Sequence, residues 1–205
     1  MKISVVANTQ SNMVERHPLA PFVDEGTQVL FLGSFPPPRS KWAKGFEFFY
    51  PNFINDHWRI MGLIFYDDKD HFVDTEAKTY KAEDIIRFAK EHGIGYYDTS
   101  EAVKRLKNNA SDKFLEVVEP TDIRALISKA PQLRTIIVTG QKAADTLCAY
   151  FHIEQQPKMG ESIDIPYIYN SLGKPVELCR LPSSSRAYPM RLEQKAEYYR
   201  AMIDR

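Results

Sequence analysis

Apolar residues along the chain fall into strand-length runs and helix-length periods. VLFL at residues 29–32 is a continuous apolar run closed by Gly33, and it predicts a buried strand over residues 28–34. Ile54, Trp58, Met61 and Phe65 recur at steps of three and four, which predicts a helix over residues 52–65. Residues 82–92 carry Ile85, Ile86 and Ala89 on one face, with Gly93 placed to end that helix. GIGYYD predicts a second strand at 94–98, then a short helix over 100–107 and a turn at 108–112. Thr121 is read as the cap of a further helix ending near Pro131. RTIIVTG, rich in β-branched residues, predicts a strand at 134–140, and the small residues of 141–151 suit a helix lying close on a sheet. A short strand is expected at 167–169 and a clear one at 176–181. Pro189 is read in the first turn of a terminal helix reaching Met202. Residues 1–27 read as an irregular lead-in, 36–51 as a loop and 67–81 as a surface excursion.

Strands alternating with helices imply a mainly parallel sheet covered on both faces. At 205 residues the chain suits a single domain, 1–205, with no internal repeat. Ligands of such sheets bind beyond the carboxyl ends of the strands. Here those ends lead into GSFPPP, YYDTS, VTGQK and LPSSSR. The first of these loops is stiff and continues into a run of aromatics, which is costly in water unless it packs on something or receives something.

Charge and motifs narrow the chemistry. Lys+Arg and Asp+Glu both number 27, so nucleic-acid binding would need a local basic patch. Arg39, Lys41 and Lys44 in the first loop, and Arg180, Arg186 and Arg191 around the last, supply one. Cys148 and Cys179 share no metal-binding spacing and read as buried thiols; the five histidines form no tight ligand pair, so neither metal nor cofactor is expected. His57 reads as a surface or capped histidine rather than a base. GxGxxG, GxxxxGK[ST] and GxSxG are all missing. With no apolar run of membrane length and no secretory pattern at the start, a cytoplasmic monomer without membrane contact is expected.

Several segments, in order, resemble the uracil-DNA glycosylase superfamily, and within it the hypoxanthine (deoxyinosine) type. They are HPLAPF at 17–22, VLFLGSFPP at 29–37, and Tyr50 with Asn55 and Trp58 at the family's aromatic–Asn–Trp spacing. GIGYYDTSEAVKR at 93–105 followed by Ser111 and Asp112, and LPSSS at 181–185, complete the set. The resemblance spans residues 17–203. It implies a three-layer αβα sandwich around a central, mostly parallel four-stranded sheet. It also implies a DNA glycosylase that flips a deaminated base, hypoxanthine or uracil, from DNA and hydrolyses its N-glycosidic bond in base-excision repair.

On that resemblance Asn55 is the catalytic candidate, orienting water and polarising substrate, since an amide takes no proton at neutral pH. A helix-face amide near an N-terminus is the other reading of Asn55. Gly33, Ser34 and Phe35 would border the base. Tyr50, or failing it Phe49, would stack on it, while Phe46 and Phe48 read as core. Asp98 is placed either to meet base or sugar or to cap a helix near Ser100. Ser183, Ser184, Ser185, Arg186 and Arg39 would hold DNA, the serines alternatively capping the last helix. Ser34-Phe35 stands where some relatives carry a water-positioning group, and Leu181 where many carry a histidine facing the base. Two other readings remain open: a non-catalytic nucleic-acid-binding relative, and an α/β enzyme binding a small nucleoside or nucleotide.

Overall fold

The structure is a computed structural model that describes residues 13–106 and 112–203. After a short strand, β1 (Val14–Arg16), the chain enters β2 (Val29–Gly33), all five residues of which are buried. Helix α1 (His57–Tyr66), a small hairpin β3 (Val73–Asp74) and β4 (Thr79–Tyr80), and helix α2 (Ala82–Glu91) lead to β5 (Ile94–Asp98). Next come β6 (Ser100–Arg105), β7 (Leu115–Pro120), α3 (Ile123–Lys129), β8 (Thr135–Thr139) and α4 (Gln141–Phe151). The chain then forms β9 (Ser162–Tyr169), β10 (Pro175–Leu181) and α5 (Leu192–Ile203).

The main sheet has the order β5-β2-β8-β10-β9. Its first four strands are parallel, as expected, and β9 adds a fifth, antiparallel, at one edge. From β2 the chain moves one way to β5; from β8 it moves the other way to β10. Right-handed crossovers in opposite directions put their helices on opposite faces. Side-chain contacts agree. On one face Phe65 of α1 meets Phe88 of α2 with ring centroids 4.8 Å apart, and Tyr199 of α5 stacks on Phe31 of β2. On the other, Tyr150 of α4 donates to the Asp122 carboxylate at the head of α3, 2.8 Å away. The result is the three-layer αβα sandwich, with an additional small antiparallel sheet, β1-β6-β7.

Some local expectations are corrected. Residues 100–105 form a strand, not a helix: β6 pairs with β1 on one side and β7 on the other, burying Ser100, Ala102, Val103 and Arg105. Pairing with distant strands overrides a helix-tolerant composition. Helix α1 begins at His57 rather than residue 52, because Asn55 Oδ1 accepts from His57 N at 2.8 Å and closes a turn there. Ile54 is left 57% exposed, outside the apolar face it was assigned to. Asp122, not Thr121, caps α3 by accepting from Ala125 N; Thr121 Oγ1 instead donates to Asp98 O at 2.7 Å. The excursion at 67–81 contributes Phe72, Val73 and Tyr80 to the core. Pro189 precedes α5 rather than lying in its first turn. Of the turn expected at 108–112, residues 108–111 lie outside the described residues. Both cysteines are buried, as expected.

Candidate active site

The chain reverses direction across the sheet between β2 and β8, the switch point at which open parallel sheets receive ligands. A cleft of about 550 Å³ lies there. All four strand-end loops reach it: Gly33, Ser34 and Phe35 after β2, Asp98 after β5, Thr139 at the end of β8, and Ser183, Ser184 and Ser185 after β10. Tyr50, Asn55 and Asp112 also line it.

Tyr50 forms one wall. Its backbone is in the left-handed region, φ 53°, uncommon for a bulky residue. The ring lies flat on His57, centroids 3.7 Å apart and planes 10° from parallel. Its hydroxyl is 3.2 Å from Thr139 Oγ1. Burial pushes the phenol pKa upward, so the ring is uncharged. His57 is not at the surface. It is fully buried, its Nε2 lies 3.3 Å from Tyr96 Oη, and desolvation holds its pKa well below 6.5. It is a neutral shelf beneath Tyr50. Phe49 borders the cleft as well, while Phe46 and Phe48 are core.

Asn55 sits half-buried at the entrance to α1. One lone pair of its side-chain carbonyl is held by His57 N, which fixes the amide orientation and leaves the NH₂ end as donor. The next residue, Asp56, anchors the site. Its carboxylate accepts from Lys195 Nζ at 2.9 Å and from Arg186 at 3.2 Å, and its backbone N–H donates to Ser184 O at 2.9 Å. Lys195, on α5, has no exposed surface and also donates to Ser185 O at 2.8 Å. The start of α1 is thereby locked to the loop after β10 and to α5, 130 and 139 residues further along the chain. Neither Asp56 nor Lys195 was marked by the sequence pattern.

The DNA-contact candidates divide. Ser183 and Ser185 lie on the cleft wall; Ser184 lines it too but is only 2% exposed, which leaves its hydroxyl little access to a phosphate. Arg186 is half-exposed and held by Asp56, outside the cleft lining. Arg39 is also outside it, its guanidinium 3.8 Å above the Trp42 ring and paired with Glu47.

Asp98 caps no helix, since none follows it. Its Oδ2 lies 2.9 Å from His17 Nε2, and a Cβ on Gly33 would come within 2.4 Å of its Oδ1. Gly33 is thus the residue that lets this carboxylate lie along the strand end. His17 has no exposed side-chain surface, and its Nδ1 lies 2.8 Å from Leu19 O. The lead-in segment thus supplies a buried support that spacing alone did not assign. Asp112 lies at the mouth of the cleft and keeps exposed surface there. Desolvation raises its pKa from 3.8; Ser34 opposes this, Asp98 adds to it, and Arg105 and Lys142 oppose it. Among the described residues no group of three His, Cys, Asp or Glu side chains could hold a metal ion.

A parallel sheet between helical layers, with this cleft at its switch point, is the uracil-DNA glycosylase fold. It matches the solution structure of a Methanosarcina acetivorans protein provisionally identified as a uracil DNA glycosylase, with a TM-score of 0.59 over 94% of this chain and 100% of that one, at 24% identity. In sequence the chain is similar to hypoxanthine DNA glycosylase of M. acetivorans, 28% identical over 123 residues that cover 60% of this chain and 70% of the relative. It is equally similar to that of Methanosarcina barkeri, 28% over 125 residues, covering 61% and 71%. No family model matches. The fold is thus uracil-DNA-glycosylase-like, and the sequence is similar to that of hypoxanthine DNA glycosylases.

Proposed function

We propose that the protein is a monofunctional DNA glycosylase that draws a deaminated base, hypoxanthine or uracil, out of DNA into this cleft and hydrolyses its N-glycosidic bond. One observation carries the reading: an aromatic ring, a primary amide and a serine loop, remote in sequence, all line one pocket at the sheet's switch point. Relatives named for hypoxanthine excision support it.

Extruding a base costs a few kcal/mol of stacking. A flat ring returns about 1–3 kcal/mol of it. Tyr50, backed by neutral His57, offers such a ring without a charge to desolvate. As the bond breaks, positive charge grows on the sugar and negative charge on the base. The Asn55 NH₂ donates toward the developing negative charge or orients water, the kind of preorganised donor whose removal costs about 100- to 1,000-fold in rate. Leu181, where a histidine would face the base in other branches, is buried in β10. Donors to the leaving base then come from the backbone and the loop after β10.

The test is a base-release assay on oligonucleotides containing uracil, hypoxanthine, xanthine or a mispaired thymine. Release of free base is expected from deoxyinosine or deoxyuridine. Asn55→Ala should lower it about 100- to 1,000-fold while DNA affinity holds. Salt-dependent DNA binding with no release from any substrate would overturn the proposal in favour of a non-catalytic relative.

A further inference from the structure

The loop after β2 contains Pro36, Pro37 and Pro38, none of which has a backbone N–H to donate. Such a run is held through its carbonyls and by packing. Pro37 O accepts from Trp42 Nε1 at 2.8 Å and Pro38 O from Lys41 N at 2.8 Å, both ties lying within the loop. Pro36 O accepts instead from Arg105, at the end of β6 in the small antiparallel sheet. Arg105 is 6% exposed, and its Nε donates to Glu15 Oε2 of β1 at 2.9 Å. Its guanidinium lies 5.5 Å from the centre of the Phe35 ring, which clusters with Val103 of β6 and Leu115 of β7. One planar fork thus joins β1, β6 and the loop, and both Phe35 and Pro36 line the cleft.

We propose that Arg105 is a positioning residue for base release: it fixes the Phe35–Pro36 wall of the cleft against the small antiparallel sheet, and so fixes where the extruded base comes to rest. The inference rests on the glycosylase reading of the cleft. Arg105 is not among the residues lining the cleft, so it acts through the wall and not on the substrate. A proline run has no N–H groups with which to retie itself once its anchor at Pro36 is lost. A misplacement of about 1 Å in a reacting geometry costs about 100-fold in rate. The role needs the fork and not merely the charge. A lysine ammonium keeps the charge but is a single point, whereas the guanidinium meets Glu15 with one nitrogen and Pro36 with another.

Single-turnover base release at saturating protein, with DNA affinity measured beside it, tests this on the parent, Arg105→Met, Arg105→Lys, Phe35→Ala and the Arg105→Met/Phe35→Ala pair. Arg105→Met should be about 10- to 100-fold slower, with DNA affinity within about threefold of the parent. Arg105→Lys should stay closer to Arg105→Met than to the parent. In the Phe35→Ala background, where the wall is already lost, Arg105→Met should slow release by less than about threefold more. Circular dichroism should show each variant folded; if Arg105→Met unfolds, Arg105→Lys takes its place in both backgrounds. Parent-like rates in Arg105→Met or in Arg105→Lys, or the same loss in both backgrounds, would each overturn the assignment and leave the glycosylase reading intact. A parent that releases no base from any substrate overturns both.

Discussion

Tyr50 pairs a costly backbone with a ring stacked flat on His57. A bulky residue in the left-handed region carries about 1–3 kcal/mol of strain, which surrounding contacts must offset. Those contacts are His57 beneath the ring and Thr139 at its hydroxyl. If the ring is a platform for an extruded base, Tyr50→Ala should forfeit about 1–3 kcal/mol of stacking. The preference for a deoxyinosine duplex over an undamaged one, measured by fluorescence anisotropy with a slow Asn55→Ala background, should then fall roughly tenfold to a hundredfold. Tyr50→Phe, which keeps the ring and loses only the Thr139 contact, should stay near the parent. A preference unmoved by Tyr50→Ala would make the ring a wall and nothing more. Tyr50 was legible because it stands at a recognisable distance from Asn55 and Trp58. His57 was not: a histidine near the start of an amphipathic helix carries no mark of depth, and its burial is imposed by Tyr50, Tyr96 and Tyr199 closing over it.

Among the elements, the site is held by a clamp between the start of α1, the loop after β10 and the middle of α5. Lys195 and Asp56 are 139 residues apart, so no local pattern could announce their pairing. A buried cation of this kind is expensive unless its partners are fixed, and removing one partner of such a pair typically costs about 3–5 kcal/mol. Lys195→Met keeps the length and volume and deletes the charge. Urea unfolding should show a loss of that order, and base release should fall further than folded fraction accounts for, because Ser185 O loses its tether. A loss below about 1 kcal/mol would mean that the clamp is incidental. The same distinction explains which elements could be read in advance. β2, β5, β8, α2 and α4 stand within a residue or two of expectation, being marked by apolar runs, helical periods and glycine breaks. β6 was missed because SEAVKR becomes a strand only through β1 and β7, and the turn before α1 because an Asn side chain, not a periodicity, sets where the helix starts.

Across the whole molecule, burial of phenols ties the site to the stability of the fold. Tyr96 and Tyr199 lie on either side of Phe31 in stacked contact, and Tyr50 meets Tyr96 edge-on, so the ring wall continues into the core between sheet and helices. Desolvation raises the pKa of Tyr80 from 10.0 to about 12, and that of Tyr50, Tyr96, Tyr97 and Tyr199 further. Below pH 10 these groups are protonated in both the folded and the unfolded chain and do not bias the equilibrium. Above it the unfolded chain releases its phenolic protons while the folded chain must keep them. The unfolded state then binds fewer protons, so stability falls as pH rises. The loss starts near pH 10, where the unfolded phenols titrate, and continues through about pH 12, where Tyr80 would ionise in place. Tyrosinate absorbance and far-ultraviolet circular dichroism, followed together in an alkaline titration, should show the buried phenols ionising in the same cooperative step that loses the helices. Ionisation of all 11 tyrosines near pH 10 with the helical signal intact would show that the phenols are solvated. The uncharged, water-excluded wall proposed for the base would then not exist.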